Sequence, residues 1–324
     1  MAKLSMVEAL NLALLREMER DGSVVVLGED VGRDGGVFRV TDKLWEKFGD
    51  KRVMDTPLAE TGIMGVSIGM AVKGLKPVAE IQFDGFMFST MEQLLAHASR
   101  IRNRSRGRYH VPLVLRMPYG GGVRALEHHS ECPETYTAPI PGIKTVIPST
   151  PYDAKGLLTA AIRDPDPVIF FEPKKLYRSL KEEVPDTDYT VPLGKAKVFK
   201  EGADVTIVTW GVQVHTALAA QQQVAGKIDM EIIDLRTISP IDMETILASV
   251  KKTGKVVIVH EAPRNNGVGA EIAARLAEDA MEYLDAPIVR VTGYDIPTPL
   301  PKLEGFFIPD IKKILMGVDK AVNF

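Results

Sequence analysis

Short apolar runs alternate along this chain with longer amphipathic stretches, and that alternation narrows its fold more than any other feature. The first amphipathic stretch opens on Ser5, with Glu8 three residues on in an S-x-x-E capping box, and carries Leu10, Leu14 and Met18 at helical spacing. Asp21-Gly22 closes it, and "SVVVLGED" follows as a buried strand. "IMGVSIGMAVKG" predicts a second helix with Gly62, Gly65 and Gly69 on or near one narrow face. Small residues there admit a neighbouring backbone, at a cost in helix propensity. "PVAEIQF" is the next strand. Ser89 and Glu92 form a second capping box opening the helix "TMEQLLAHASRIR". "VPLVLRM" and "KTVIPS" read as strands, Thr150 as the cap of the helix "YDAKGLLTAAIRD", and "PVIFFEP" as a further strand. Strands alternating with helices predict an α/β fold whose mainly parallel sheet is covered on both faces.

The pattern breaks at Lys181–Lys200, "KEEVPDTDYTVPLGKAKVFK", which is charged, holds two prolines and has no helical periodicity. A second series then runs through "DVTIVTW", a helix from Gln213, "MEIIDLRT", "KVVIVHE", the helix "GAEIAARLAEDAMEYL" and "PIVRVTG". A length of 324 residues accommodates two such units, expected at residues 1–190 and 191–324.

Composition excludes several classes of function. A net charge of −3 argues against a nucleic-acid binder or a basic membrane-surface protein. A single cysteine, Cys132, allows no internal disulfide framework and fits a reducing compartment. No signal peptide precedes the first helix, and the longest apolar run, Ile63 to Val72, is too short and glycine-rich for a membrane span, so a cytoplasmic chain is expected.

Within this frame a few segments carry chemistry. In "DTPLAETGIMG" one carboxylate, Glu60, sits among apolar and small residues at the entry to a helix. A carboxylate in such surroundings is neutral, paired or at work. "AEIQFDGF" puts Gln82 and Phe86 just past a strand end, where Phe is usually core but could also stack on a planar ring beside an amide. "YGGGVRALEHHSECPE" follows "VPLVLRM", so its glycines and His128, His129 and Cys132 lie at the carboxyl end of a strand, where open α/β sheets collect ligands. Zinc, a Cys132–His129 nucleophile pair, a histidine proton carrier and two merely exposed histidines all remain open for this loop, although H-x-x-C supplies too few zinc ligands and no orienting third group is evident. The arginines at 100, 102, 104, 106 and 108 read first as a solvated helix end, then as a subunit contact. "NNGVGAE" at Asn265–Glu271 lacks the third glycine of a dinucleotide fingerprint and reads as a tight turn, and "GRDGGVF" likewise reads as a loop.

Taken in order, "LGEDVGRDGGVFRVT", "DTPLAETGIMG", "AEIQF", "HHSECPE", "PGIKTVIPSTPYDAKGLL" and "FFEPKKLYR" resemble the beta subunits of the thiamine-diphosphate-dependent 2-oxo acid dehydrogenases. The likeness spans nearly the whole chain. It implies a transketolase-like pyrimidine-binding domain followed by a transketolase C-terminal-type domain. It also implies that Glu60 bonds the ring nitrogen of the cofactor's aminopyrimidine, that Gln82 and Phe86 line that ring's pocket, and that His129 faces the substrate. His128 is the neighbour whose identity varies among branches of the family and stays outside the catalytic set. A structural potassium site, mostly of backbone carbonyls, would fall at Leu113, Ala161, Ile162, Asp164 and Asp166.

The family's G-D-G segment and later asparagine pair, which hold the diphosphate and its magnesium, have no counterpart here, since "RDGG" near Asp34 and the distant Asn265-Asn266 do not fit. The resemblance therefore implies an alpha subunit that supplies them, an alpha-two, beta-two heterotetramer, and a C-terminal domain that helps dock a lipoyl acyltransferase. The implied reaction is oxidative decarboxylation of a small 2-oxo acid with acyl transfer to a lipoyl group. Pyruvate is expected ahead of a branched-chain 2-oxo acid or acetoin. The rival of another class is a noncatalytic subunit that only supports a partner's site.

Overall fold

Residues 2–324 are described by a computed structural model, and the first strand–helix series builds a seven-stranded sheet in it. In spatial order its strands are Thr237–Ser239, Lys144–Val146, Val168–Pro173, Val114–Tyr119, Lys76–Glu80, Val24–Gly28 and Val53–Asp55. Every neighbouring pair is parallel except the first. Side chains alternate between two apolar faces, as the period of a strand requires. Val24, Val26, Val114 and Phe170 face the helices Met6–Arg20 and Pro151–Arg163 through Leu10, Leu14, Leu157 and Leu158. Leu27, Ala79, Leu115 and Phe171 face the other way, toward Ile63, Met64 and Ile68 of the helix Glu60–Val72.

The second series forms a five-stranded sheet ordered Val289–Gly293, Val256–Pro263, Val205–Thr209, Met230–Asp234 and Lys197–Lys200, parallel but for the last strand. Helices Val212–Gln223, Met243–Thr253, Val268–Asp279 and Ile311–Val322 cover it. The two sheets are interlocked. Thr237–Ser239 follows Met230–Asp234 in the chain but pairs with Lys144–Val146 of the larger sheet. One apolar cluster runs from Ile63 and Leu115 through Trp210 to Ile258 and Ile272.

Two of the predicted caps are present. Ser5 Oγ accepts from the Glu8 amide while the Ser5 amide donates to Glu8 Oε2 at 2.7 Å, and Thr150 Oγ1 accepts from the Asp153 amide at 3.1 Å with Pro151 in the first turn. The third is not. The Ser89 and Thr90 hydroxyls donate back to the carbonyls of Phe86 and Met87, at 2.9 and 2.7 Å, and do not cap a forward amide. In place of one regular helix the segment winds as a 3₁₀ stretch at Asp84–Thr90, an α turn at Met91–Gln93, a π turn at Leu94–Ala98 and an α turn at Ile101–Arg104. The charged Lys181–Lys200 segment carries a strand at each end. Lys181–Val184 pairs antiparallel with Ala2–Ser5, and Lys197–Lys200 forms the edge of the second sheet. Among the described residues no helix is long and apolar enough to cross a membrane.

Candidate active site

The strands Val24–Gly28, Lys76–Glu80 and Val114–Tyr119 lie side by side and point the same way, so the loops leaving their carboxyl ends meet. The first loop begins with Glu29 and Asp30. The second carries Gln82, Phe83, Asp84 and Phe86, and the third runs through three glycines to His129. Glu60 enters from the neighbouring edge, as the first residue of Glu60–Val72, and is half-buried at a helix start that no side chain caps.

Glu29 was not singled out by sequence. It is 6% exposed, its Oε1 has no hydrogen-bond partner, and burial raises its pKa, with the charge of Glu60 adding to the rise. It directly follows a fully buried strand, which is the one signal that could have found it. Gln82 Nε2 donates to Asp30 Oδ2 at 3.0 Å. The His129 ring lies 4.0 Å from that of Phe83 and 5.3 Å from that of Phe86, nearly perpendicular to the latter. Its Nδ1 is 2.7 Å from the Glu127 carbonyl. A carbonyl only accepts, so this bond assigns the proton of the neutral ring to Nδ1 and leaves Nε2 as the acceptor. His128 is exposed with φ at +62°, and its backbone lies so close to Gly85 that any Cβ there would collide with the His128 carbonyl. Phe86 and His129 are thus in contact, Gln82 is bonded to the first loop, and Glu60 lies near enough to Glu29 of that loop for their charges to interact.

Beneath the rim lie buried charges. Arg116 is 1% exposed and makes a two-pronged bond to Glu172, at 2.7 and 2.8 Å, and another to Glu80. Asp84 accepts from Lys174 Nζ at 2.8 Å and from the Gly120 amide at 2.9 Å. Burial nevertheless raises its pKa to about 6, with Lys174 opposing the rise.

The remaining candidates resolve differently. Cys132 is buried, and burial pushes its thiol well above the usual range, which disfavours a nucleophilic thiolate. No group of three or more His, Cys, Asp or Glu side chains among the described residues could hold a metal, so the zinc reading of the loop is not supported. At the potassium-type positions, Asp164 Oδ1 accepts from Lys144 Nζ at 2.8 Å and Asp166 Oδ2 from Arg102 Nη1 at 2.6 Å. The carbonyls of Leu113 and Ala161 accept from the amides of Val168 and Asp164. Of the arginine run, Arg102 is thus ion-paired, and the run is otherwise exposed or half-buried at the surface. Gly267 of the Asn265–Glu271 turn is the cap of Val268–Asp279, and a Cβ on it would lie 2.9 Å from the His260 ring. The glycine there is explained by packing.

Comparison with known proteins agrees with this architecture. The transketolase pyrimidine binding domain matches residues 2–179 and the transketolase C-terminal domain residues 194–314. A split gene transketolase, in an inactive beta4 tetramer, superposes with a TM-score of 0.81 over 99% of both chains at 24% identity, a likeness of fold. Fold and domains thus define a transketolase-like α/β chain. The pyruvate dehydrogenase E1 component subunit beta of Acholeplasma laidlawii is 55% identical over 100% of this chain and 99% of its own length. That of Bacillus subtilis is 47% identical, and the 2-oxoisovalerate dehydrogenase subunit beta of the same organism 48%, each covering 100% of both chains. The chain belongs to the family of pyruvate dehydrogenase E1 beta subunits and their 2-oxo acid dehydrogenase relatives.

Proposed function

We propose that this chain is the beta subunit of a pyruvate dehydrogenase. Acting with an alpha subunit in an alpha-two, beta-two heterotetramer, it carries out thiamine-diphosphate-dependent decarboxylation of pyruvate and passes the acetyl group to lipoyl groups of an acyltransferase, whose disulfide is the oxidant. The observation that carries this reading is the packing of His129 on Phe86, on the loop that carries Gln82, with Glu60 near enough to Glu29 of the adjoining loop for their charges to interact.

These residues fit the cofactor's aminopyrimidine end. A half-buried carboxylate, an amide and an aromatic ring match a flat heterocycle with ring nitrogens, and Glu29 adds a buried carboxyl oxygen that nothing in the chain satisfies. When bound, the cofactor supplies the electron sink that lets the bond to the substrate's carboxylate break. Glu60 holds and exchanges a proton at the ring nitrogen, and Gln82 and Phe86 orient the ring. His129, packed against two phenylalanines with Nδ1 bonded to the Glu127 carbonyl, receives or lends a proton on the substrate side through Nε2.

The surface supports an alpha partner. On Glu60–Val72 the positions Gly62, Val66 and Gly69 are exposed, and Leu58 just before them is 79% exposed. A Cβ on Gly69 would meet nothing within 4 Å, so nothing in this chain requires glycine there. Docking of the acyltransferase falls to the C-terminal domain, a structural potassium ion to the carbonyls at Leu113, Ala161, Ile162, Asp164 and Asp166, and the location to the cytoplasm. Asp164 and Asp166 already have cationic partners, so such an ion would draw on backbone oxygens rather than on their carboxylates.

The 55% identical relative is a pyruvate dehydrogenase subunit, against 48% for the 2-oxoisovalerate dehydrogenase subunit, which favours pyruvate over the branched-chain acid. The test is turnover of the reconstituted alpha–beta pair with pyruvate and with 3-methyl-2-oxobutanoate. Preference for pyruvate is expected. The reverse preference would reassign the substrate, and an intact complex whose turnover ignores both Glu60 and His129 would indicate a supporting role alone.

A further inference from the structure

The loop that ends on His129 is held by three carboxylates, two of them from the far domain. Gly120, Gly121 and Gly122 each donate a backbone amide to a different acid, namely Asp84 Oδ2 at 2.9 Å, Glu261 Oε2 at 3.0 Å and Glu304 Oε1 at 2.8 Å. The Arg124 amide donates to the other oxygen of Glu304 at 3.0 Å. Asp84 belongs to the larger sheet's domain, while Glu261 lies in the last three residues of a strand of the smaller one and Glu304 opens the short helix Glu304–Phe307.

Glu304 is 4% exposed, and no lysine, arginine or histidine pairs with it among the described residues. A buried carboxylate without a cation is costly, and what offsets the cost here is a pair of charge-assisted bonds to one loop. The loop's other anchors lie at its far end, where His128 packs on Gly85 and His129 on Phe83 and Phe86. Val123, Arg124, Leu126, Glu127 and His128 are all exposed. The approach is also close, since a Cβ on Gly121 would lie 2.6 Å from Ile308 and 3.2 Å from Glu304 Oε1.

We propose that Glu304, seconded by Glu261, is a positioning residue through which the C-terminal domain sets the place of His129 in the active site. The inference rests on the reading that His129 faces the substrate. Misplacing a catalytic group by about an ångström costs roughly a hundredfold in rate, so a clamp two residues wide at the glycine end of this loop has leverage on turnover.

The test uses the complete heterotetramer with Glu304→Ala, Glu304→Gln, His129→Ala and the double variant Glu304→Ala/His129→Ala. Glu304→Ala should lower kcat by about tenfold or more, and the double variant should fall within about threefold of His129→Ala alone, because the two residues act as one unit. Thiamine diphosphate affinity should stay within about twofold, since the pyrimidine contacts are untouched. Hydrogen exchange at Gly122 and Arg124 should quicken while that of Glu60–Val72 is unchanged. Glu304→Gln should be intermediate, because an amide presents one acceptor and turns an N–H against the other donor, and it keeps the test alive if the alanine variant does not assemble. Losses that multiply in the double variant, or a Glu304→Ala enzyme at wild-type kcat beside a crippled His129→Ala, would overturn the proposal. If His129→Ala itself turns over normally, the reading of His129 falls. The clamp is then judged by exchange alone, and unchanged protection at Gly122 and Arg124 overturns it.

Discussion

Glu60 has two readings that differ in what an amide would do in its place. An acid that merely sits in the first turn of a helix gains about 0.3–1 kcal/mol from the dipole, and Glu60→Gln would then be a mild change in stability with near-normal activity. A carboxylate that exchanges a proton with a ring nitrogen cannot be replaced by glutamine, which hydrogen-bonds but does not titrate. We expect Glu60→Gln to assemble and bind cofactor, yet to lose about a hundredfold or more in turnover, with deuterium exchange at the thiazolium carbon slowed in parallel. Normal exchange and turnover in an intact variant would return Glu60 to the first role. A second residue makes a pH prediction. Glu134 is fully buried, and burial raises its pKa to about 8 from an ordinary 4.5. Between those values the folded state holds a proton that the unfolded state has lost, so Glu134 makes stability fall as pH rises through that window. Glutamine mimics the protonated form. The melting temperature of Glu134→Gln relative to wild type should therefore climb from pH 5 toward about 8 and then level. A constant difference across that range would show that Glu134 does not titrate there. Glu60, Gln82, Phe86 and His129 stand in short motifs that the sequence displays. Asp84, Lys174 and Glu304 do not, because what makes them important is burial and partners far away in sequence, such as the separation of 182 positions from Gly122 to Glu304.

Among elements, the legible ones were those whose apolar period is long. The helices Met6–Arg20 and Pro151–Arg163 and the buried strands fall where alternation and capping residues put them. Helices Met243–Thr253 and Ile311–Val322 went unread, although each opens on an aspartate that accepts from an amide three residues on, Asp242 from Thr245 and Asp310 from Lys313. The Ser89–Glu92 box misled for the opposite reason, since a sequence pattern does not say which way a hydroxyl donates. The glycine face of Glu60–Val72 offers an element-scale test. Gly69 lies in a helix interior with open space around its missing Cβ, so Gly69→Ala should stabilise the isolated chain by about 0.5–1 kcal/mol. If a partner backbone packs on this face, the same change should weaken assembly with the alpha subunit. Chemical denaturation of the chain and sedimentation of the mixture read the two effects. Unimpaired assembly would mean that no backbone comes close there.

At the scale of the whole molecule, two α/β units share a strand, an apolar cluster and a loop. Thr237–Ser239 extends the larger sheet, and Glu261 and Glu304 reach back to the glycines before His129. None of this interlock was legible in sequence, where the charged Lys181–Lys200 segment suggests two separable units. The proposed function has the chain hold one end of its cofactor and depend on a partner for the other. The groups gathered at the rim suit an aminopyrimidine, and the segments that would take a magnesium diphosphate are missing from the sequence. Titration calorimetry of thiamine diphosphate with magnesium into the purified chain, then into the chain mixed with its alpha subunit, tests this directly. Weak or no binding by the chain alone and stoichiometric binding by the pair are expected. Stoichiometric, magnesium-dependent binding by the chain alone would contradict it.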